Sequence, residues 1–249
     1  MAGSNIYFAS DFHLGIPDHA RSLVREKKIC RWLDIIKNDA AELYLMGDIF
    51  DFWFEYKSVV PKGFVRLLGK LAELSDSGIK IYNFKGNHDM WQFGYLQQEM
   101  NMILISDEHV IEHNGIKIYL HHGDGLGPGD NGYKFLKKIF NSDACQWLFG
   151  FLHPTIGTWI ARNSSSKSRL SKAGTEEHYL GDDKEFLTQF CIEELKENHY
   201  DYMIFGHRHL PLDILLPNGS HYINLGEWVS QFTYAVFDGK TVELKKFEE

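Results

Sequence analysis

Five short polar clusters carry residue types that hold metal ions: Asp11-Phe-His13, Gly47-Asp48-Ile-Phe-Asp51, Gly86-Asn87-His88-Asp89, His121-His122-Gly123-Asp124 and Gly206-His207-Arg208-His209. Carboxylate, imidazole and amide oxygen without a thiolate suit Mn2+, Fe2+ or Zn2+. The clusters hold enough ligands for two divalent ions, with Mn2+ expected and Fe2+ or Zn2+ as substitutes. A carboxylate such as Asp48 can bridge the two. An ion pair of this kind lowers the pKa of bound water from about 15.7 toward about 7 and neutralises charge developing on a phosphoryl oxygen. That is the chemistry of phosphoester hydrolysis. A lone Asp-x-His is far more often an ordinary surface turn. Its recurrence in ordered company gives Asp11 and His13 their weight.

Each cluster directly follows an apolar, strand-like run: IYFAS, ELYLM, IYNFK, IKIYL and YMIF. Strand carboxyl ends form the ligand crevice of open α/β sheets, so these runs would deliver their polar residues to one edge. Around them the pattern predicts strands at 6–9, 42–46 and 80–84. Helices are predicted at 18–37, with Leu23, Ile29, Trp32, Leu33 and Ile36 on one face, and at 64–74. That order is the signature of parallel βαβ units. Asn114-Gly115, Asn218-Gly219 and Asp238-Gly239 sit between short apolar runs and predict three hairpins. Residues 133–162 and 184–198 read as helical. The expected architecture is a single layered α/β domain over 1–249, with central mixed β-sheets flanked by helices. It ends in an antiparallel meander and carries a helical insertion at about 134–172.

The chain has 249 residues, 44% hydrophobic and 24% charged, with 6 prolines, a composition that excludes disorder. Its 3 cysteines are scattered and show no zinc or redox spacing, so buried thiols in a reducing compartment are expected, not a disulfide framework. No secretory leader pattern precedes the first strand, and the cytoplasm is the expected location. A net charge of -8 argues against nucleic acid as a partner. The charge is uneven. Residues 134–172 hold seven basic residues and one acid, so that stretch is +6 and the remainder -14.

The ordered set D-x-H, G-D-x-x-D, G-N-H-D, H-G-D and G-H-x-H, spanning Asp11 to His209, resembles the calcineurin-like metallophosphoesterase superfamily. The resemblance implies that Asp11, His13, Asp48 and His209 hold one ion, and that Asp48, Asn87, His122 and His207 hold the second. It makes His88 a phosphate contact that protonates the leaving group, with Asp89 orienting its imidazole, and makes Asp51 a loop stabiliser.

A narrower resemblance is to the UDP-2,3-diacylglucosamine pyrophosphatase family of lipid A synthesis. It rests on G-D-I-F-D-F-W at Gly47, on H-G-D-x-x-x-x-x-D-x-G-Y from His122 to Tyr133, and on the helical insertion ending in the Ser-rich basic run from Arg162 to Lys167. By this resemblance the insertion caps the site and holds the acylated sugar. Substrate contacts fall on Asp130, Ser165 and Lys172, with Arg162, Lys167 and His207 as further candidates. At His88 the chain has the general superfamily form, where many members of the narrower family carry Arg.

The insertion is rich in apolar residues, among them Phe135, Trp147, Phe151 and Trp159. These could form its own core, an acyl-chain pocket or an interface. Its basic residues are either a solvated face or phosphate contacts. Its apolar stretch is too short and broken to span a bilayer, whereas transient contact with the cytoplasmic face of the inner membrane fits its charge. The leading expectation is hydrolysis of an acylated UDP-sugar to UMP and the sugar phosphate. The alternative is a metal-dependent phosphodiesterase or phosphatase acting on a soluble nucleotide or other phosphoester. A non-catalytic scaffold is disfavoured because every expected ligand is present. His121 is expected to be packed away, and Arg208 to reach either phosphate or solvent.

Overall fold

The computed structural model describes residues 3–129, 131–161, 163 and 178–248. Along the chain come β1 (Asn5–Ala9), α1 (His19–Ile36), β2 (Ala40–Leu45), α2 (Val65–Asp76), β3 (Lys80–Phe84), α3 (Tyr95–Met100) and β4 (Ile103–Ile105). Then follow β5 (His109–His113), β6 (Ile116–His121), α4 (Asn131–Phe140), α5 (Asp143–Gly150) and the helical residues 154–161, termed α6. The last elements are α7 (Phe186–Glu194), β7 (Tyr202–Phe205), β8 (Pro211–Leu215), β9 (His221–Leu225), β10 (Thr233–Phe237) and β11 (Val242–Lys246).

Strand side chains alternate between two layers, as a period of two requires. On β1, Ile6 and Phe8 pack with Ile118, Leu120, Ile204 and Ile223 of β6, β7 and β9, while Tyr7 and Ala9 pack with Ile29, Trp32 and Leu33 of α1. On β6 and β7, Tyr119, Met203 and Phe205 turn the other way, onto Leu187 and Cys191 of α7. The result is two sheets face to face with helices outside both. One sheet runs β11-β10-β1-β2-β3-β4 and the other β5-β6-β7-β9-β8. Strands β1 to β4 pair in parallel, as do β6, β7 and β9.

All three Gly-containing turns join antiparallel strands. At Asn114-Gly115 both residues have positive φ (55° and 81°), as a tight primed hairpin turn needs. The expected continuous meander is not what forms. The β8–β9 hairpin belongs to one sheet and the β10–β11 hairpin to the other, so the chain crosses the sandwich between them. The helical run expected at 133–162 is three short helices. Ser142, whose side chain accepts the Cys145 N–H, caps α5 and separates it from α4. Helix α3 and strand β4 were not expected; each is too short to show a period.

Polar residues on helices fix how the layers join. Asp18 caps α1 by accepting the Arg21 N–H at 2.9 Å. Helix α2 has no side-chain cap of its own. Instead the buried Glu26 of α1 accepts the N–H groups of Arg66 and Leu67 at 2.9 and 3.1 Å. The three cysteines are unpaired, and only Cys191 is fully buried.

Candidate metal centre

Parallel pairing turns the carboxyl ends of β1, β2 and β3 in one direction, and likewise those of β6 and β7. Asp11 and His13 follow β1, Asp48 follows β2, and Asn87, His88 and Asp89 follow β3. His122 follows β6, while His207 and His209 follow β7. Both sheets therefore feed one edge. A hydrogen bond links the ends across the sandwich, His207 N–H donating to Asp11 Oδ2 at 3.0 Å, and within one sheet the Asn224 side-chain amide of β9 donates to the Gly206 carbonyl after β7 at 2.6 Å.

The local backbone is unusual. Asp11, His13, Asp48, His207 and His209 have φ of 55°, 43°, 54°, 65° and 58°. Residues with a side chain seldom enter this left-handed region, at about 1–3 kcal/mol each, and such strain gathers at functional sites. Neighbouring strands hold these turns: Asp11 N–H donates to the Gly47 carbonyl at 3.0 Å, His13 N–H to the Asp48 carbonyl at 2.9 Å, and Trp228 N–H to the Asp11 carbonyl at 3.0 Å. Gly86 and Gly206 make the space, since a Cβ on either would collide with Asp48 Oδ1 or Asp11 Oδ2.

The side chains converge on two points. Around the first, Asp11 Oδ1 lies 3.1 Å from His209 Nε2 and 3.6 Å from His13 Nε2, and the two imidazole nitrogens are 3.0 Å apart. Around the second, His122 Nε2 lies 3.2 Å from Asn87 Oδ1 and 3.5 Å from Asp48 Oδ2, with His207 in the same group. Asp48 Oδ2 is also 3.9 Å from His13 Nε2, so this carboxylate stands between the two groups.

Donor atoms at about 2.0–2.2 Å from one ion stand roughly 3 Å apart, and these spacings agree. Two buried anionic oxygens, Asp11 Oδ1 and Asp48 Oδ2, accept no hydrogen bond. Such oxygens are costly in a dry interior unless something positive meets them. Divalent cations fit both places. His122 Nδ1 lies 2.8 Å from the Met46 carbonyl, which fixes the ring proton there and frees Nε2 for a ligand role.

The charges are tuned to match. Burial alone would raise the Asp11 carboxyl, but the imidazoles of His13 and His209 beside it hold it well below the usual range. Burial is likewise outweighed at Asp48, which His88 and His122 keep anionic. His122 moves the other way. Burial disfavours its charge, yet the Asp48 carboxylate beside it raises the imidazole to about 10.

His88 Nδ1 faces the Asp51 carbonyl at 3.2 Å and Asp51 Oδ1 at 3.5 Å, while its Nε2 is 4.0 Å from Asp48 Oδ2. Asp51, expected only to support its loop, is thus the group that orients His88. Asp89 does not. Its fully buried carboxylate accepts the backbone N–H groups of Asp48, Ile49, Phe50 and Gly86 at 2.8–3.3 Å. It clamps two ligand loops together because four donors converge on it. Burial and the Asp48 charge push this carboxyl up to about 7.

Arg208 reaches neither solvent nor the metal cluster. It is buried against Glu185, with Nε and Nη2 donating to the two carboxylate oxygens at 3.0 Å. His121 is buried as expected, its Nδ1 accepting the Gly123 N–H at 2.8 Å. Asp130, Arg162, Ser165, Lys167 and Lys172 lie outside the described residues.

Several contributors have a role that the sequence did not assign. Arg25 donates from Nη2 to the His13 carbonyl at 2.5 Å and the Ile16 carbonyl at 2.7 Å. The signal was there: the buried face of α1 runs Ser22, Arg25, Glu26, Ile29, so two charges sit in helical phase with the core and Leu23 does not. Asp124, two residues past His122, is a buried anion that meets Lys137 Nζ at 2.8 Å and accepts from Tyr133 Oη at 2.5 Å, both on α4. It fastens the insertion to the site.

The described part of the insertion packs through few residues. Phe149 sits among Phe52, Phe54 and Trp91, and Trp91 Nε1 donates to the Phe140 carbonyl at 2.9 Å. Much of its apolar surface is open, with Phe151 71% and Trp147 64% exposed. A purely internal core is therefore not what these residues form. No helix among the described residues is long and apolar enough to cross a membrane.

The sequence profile of the family described as Calcineurin-like phosphoesterase matches residues 4–211. A UDP-2,3-diacylglucosamine hydrolase of Porphyromonas gingivalis is 37% identical over 258 residues, covering 99% of this chain and 98% of that one. One from Shewanella putrefaciens is 29% identical over 224 residues, covering 90% and 89%. Among solved structures, the phosphoesterase Yfce from E. coli aligns at 14% identity with a TM-score of 0.46, over 96% of this chain and 90% of that one.

Proposed function

The chain belongs to the calcineurin-like phosphoesterase family, and from that premise we propose that it hydrolyses the diphosphate of UDP-2,3-diacylglucosamine, giving UMP and 2,3-diacylglucosamine 1-phosphate for lipid A synthesis. One observation carries the reading. A dense Asp/His cluster suited to two cations is tied, through Asp124, to helices that expose large apolar side chains. A substrate with a diphosphate at one end and acyl chains at the other matches that pairing.

Asp11, His13, Asp48 and His209 would hold one divalent ion, and Asp48, Asn87, His122 and His207 the other, with Mn2+ as the proposed metal. Two such ions supply Lewis acidity at a phosphoryl oxygen and hydroxide at neutral pH. The chain's own groups do the rest. His88 is partly exposed and held through Nδ1 by Asp51, so Nε2, 4.0 Å from Asp48 Oδ2, is the atom that would give a proton to the departing oxygen. Asp89 keeps the Asp48 and Gly86 turns in register, which fixes the spacing of ligands from two strands.

Acyl chains would lie along the apolar surface of α4 to α6. Asp130, Arg162, Ser165, Lys167 and Lys172 would contact the head group, and His207 would do so from the core. The exposed aromatics, with the exposed Lys138 on α4, favour transient contact with the cytoplasmic face of the inner membrane during substrate capture.

The test is to incubate the protein with Mn2+ and UDP-2,3-diacylglucosamine in detergent and follow UMP release, with Asp48→Ala as control. Metal-dependent release that the variant loses is the expected result. Cleavage of a generic aryl phosphodiester without release of UMP from the lipid would leave the two-metal chemistry and overturn the substrate.

A further inference from the structure

Arg208 lies between two candidate ligands, His207 and His209, whose backbones are both left-handed. Alternation would point its side chain away from theirs and toward water. It is nevertheless only 6% exposed, and its partner Glu185 is 1% exposed. The guanidinium meets both carboxylate oxygens at 3.0 Å, and Nη2 also donates to the His178 carbonyl at 2.9 Å. Glu185 Oε1 accepts the Leu180 N–H at 3.0 Å as well. Glu185 immediately precedes α7, where the chain returns from the insertion to the core.

We propose that Arg208 is a positioning residue for the metal centre: its two-pronged bond to Glu185 holds the 207–209 turn so that His207 and His209 face different ions. The inference rests on the two-metal reading of the site. Backbone contacts secure the front of the turn, since His207 N–H donates to Asp11 Oδ2 and Arg208 N–H to the Gly206 carbonyl at 2.7 Å. The Arg208 side chain secures its middle. A guanidinium is planar and grips a carboxylate at two points, so it fixes orientation as well as distance. Lysine would keep the charge and lose the orientation. The same ion pair fastens the segment that follows the insertion, Arg208 through the His178 carbonyl and Glu185 through the Leu180 N–H, so that segment and the aim of two ligands share one anchor.

Mn2+ affinity separates positioning from simple structural support. Three variants should be titrated with Mn2+ by calorimetry, with the Tm of each metal-free protein measured alongside: Arg208→Lys, Glu185→Gln, and Arg208→Met combined with Glu185→Leu. The double variant removes both buried charges together, which proteins commonly tolerate in folding. Arg208→Lys and the double variant are expected to bind Mn2+ about 10- to 100-fold more weakly while remaining folded, the range seen when groups that orient ligands are lost. Glu185→Gln, which keeps one acceptor, should fall between. Affinities of Arg208→Lys and the double variant within 2-fold of wild type would overturn the inference, whatever their Tm. A wild-type protein that takes up no Mn2+ would overturn the metal reading and this inference with it.

Discussion

At the scale of single residues, the site depends on carboxylates that work in different ways. Asp48 and Asp11 each leave a buried oxygen without a hydrogen bond, while Asp89 spends its oxygens on four backbone donors. Asp89→Asn would present an NH2 to some of those donors and leave them unsatisfied, at about 1–3 kcal/mol. The expected result is a lower Tm in the metal-free protein, by roughly 2–4 °C per kcal/mol; an unchanged Tm would show that Asp89 is not a clamp. The imidazole of His122 allows a pH test. Its pKa in the metal-free fold is raised from 6.5 to about 10. The pairing with Asp48 is therefore fully stabilising below about pH 6.5 and is lost as pH climbs toward 10. A metal needs the neutral ring, so binding must expel that proton. The Tm gain from added Mn2+ should grow as pH rises above 6.5, with proton release visible by calorimetry in buffers of different ionisation enthalpy. A gain that is flat with pH would count against His122 as a ligand.

Individual elements are joined by buried polar side chains at their ends. Glu26 caps α2 from a neighbouring helix, so Glu26→Ala should cost about 1–2 kcal/mol, a typical cap loss. It should appear in urea as a lower midpoint with an unchanged slope. Asp124 acts on α4. Burial would raise its carboxyl, but His122 and Lys137 hold it down at about 2, so it is an anion at any working pH. Asp124→Asn should free the Lys137 end of α4 and raise KM for the acylated substrate more than for an aryl phosphodiester. Equal effects on both substrates would place Asp124 in the metal centre alone. Strands and Gly-containing turns were legible because their signals are local. Helix phase was half legible: Ile29, Trp32, Leu33 and Ile36 are buried as expected, but the first turns of α1 rotate to bury Arg25 and Glu26. Those two residues have backbone partners, His13 and the start of α2, that no helical pattern reveals.

Across the whole molecule, a polar site at the sandwich edge sits beside an apolar and basic insertion. If the exposed aromatics meet lipid, replacing Trp147, Phe151 and Trp159 with serine should weaken binding to anionic vesicles. Each fully buried aromatic is worth about 1.5–3 kcal/mol, so a loss of 10-fold or more is expected by co-sedimentation. Undiminished binding would assign these side chains to another role. Activity on a soluble aryl phosphodiester should persist in the same variant, because none of the three residues is a member of the Asp/His cluster.

The sequence by itself determined which residue types end each strand, the order of those strands and the positions of three hairpins. Such features depend on periodicity and turn chemistry within a few residues. Only the tertiary structure decided that the β10–β11 hairpin leaves the other late strands and pairs through β10 with β1, because either sheet edge offers the same hydrogen bonds to an antiparallel hairpin. It also decided that Asp89 clamps backbone, that Asp51 takes the imidazole of His88, and that Arg208 finds a buried carboxylate 23 residues back in the chain. Each is a polar group leaving water for a partner distant in sequence, and a partner of that kind exists only once the sheets have closed on one another.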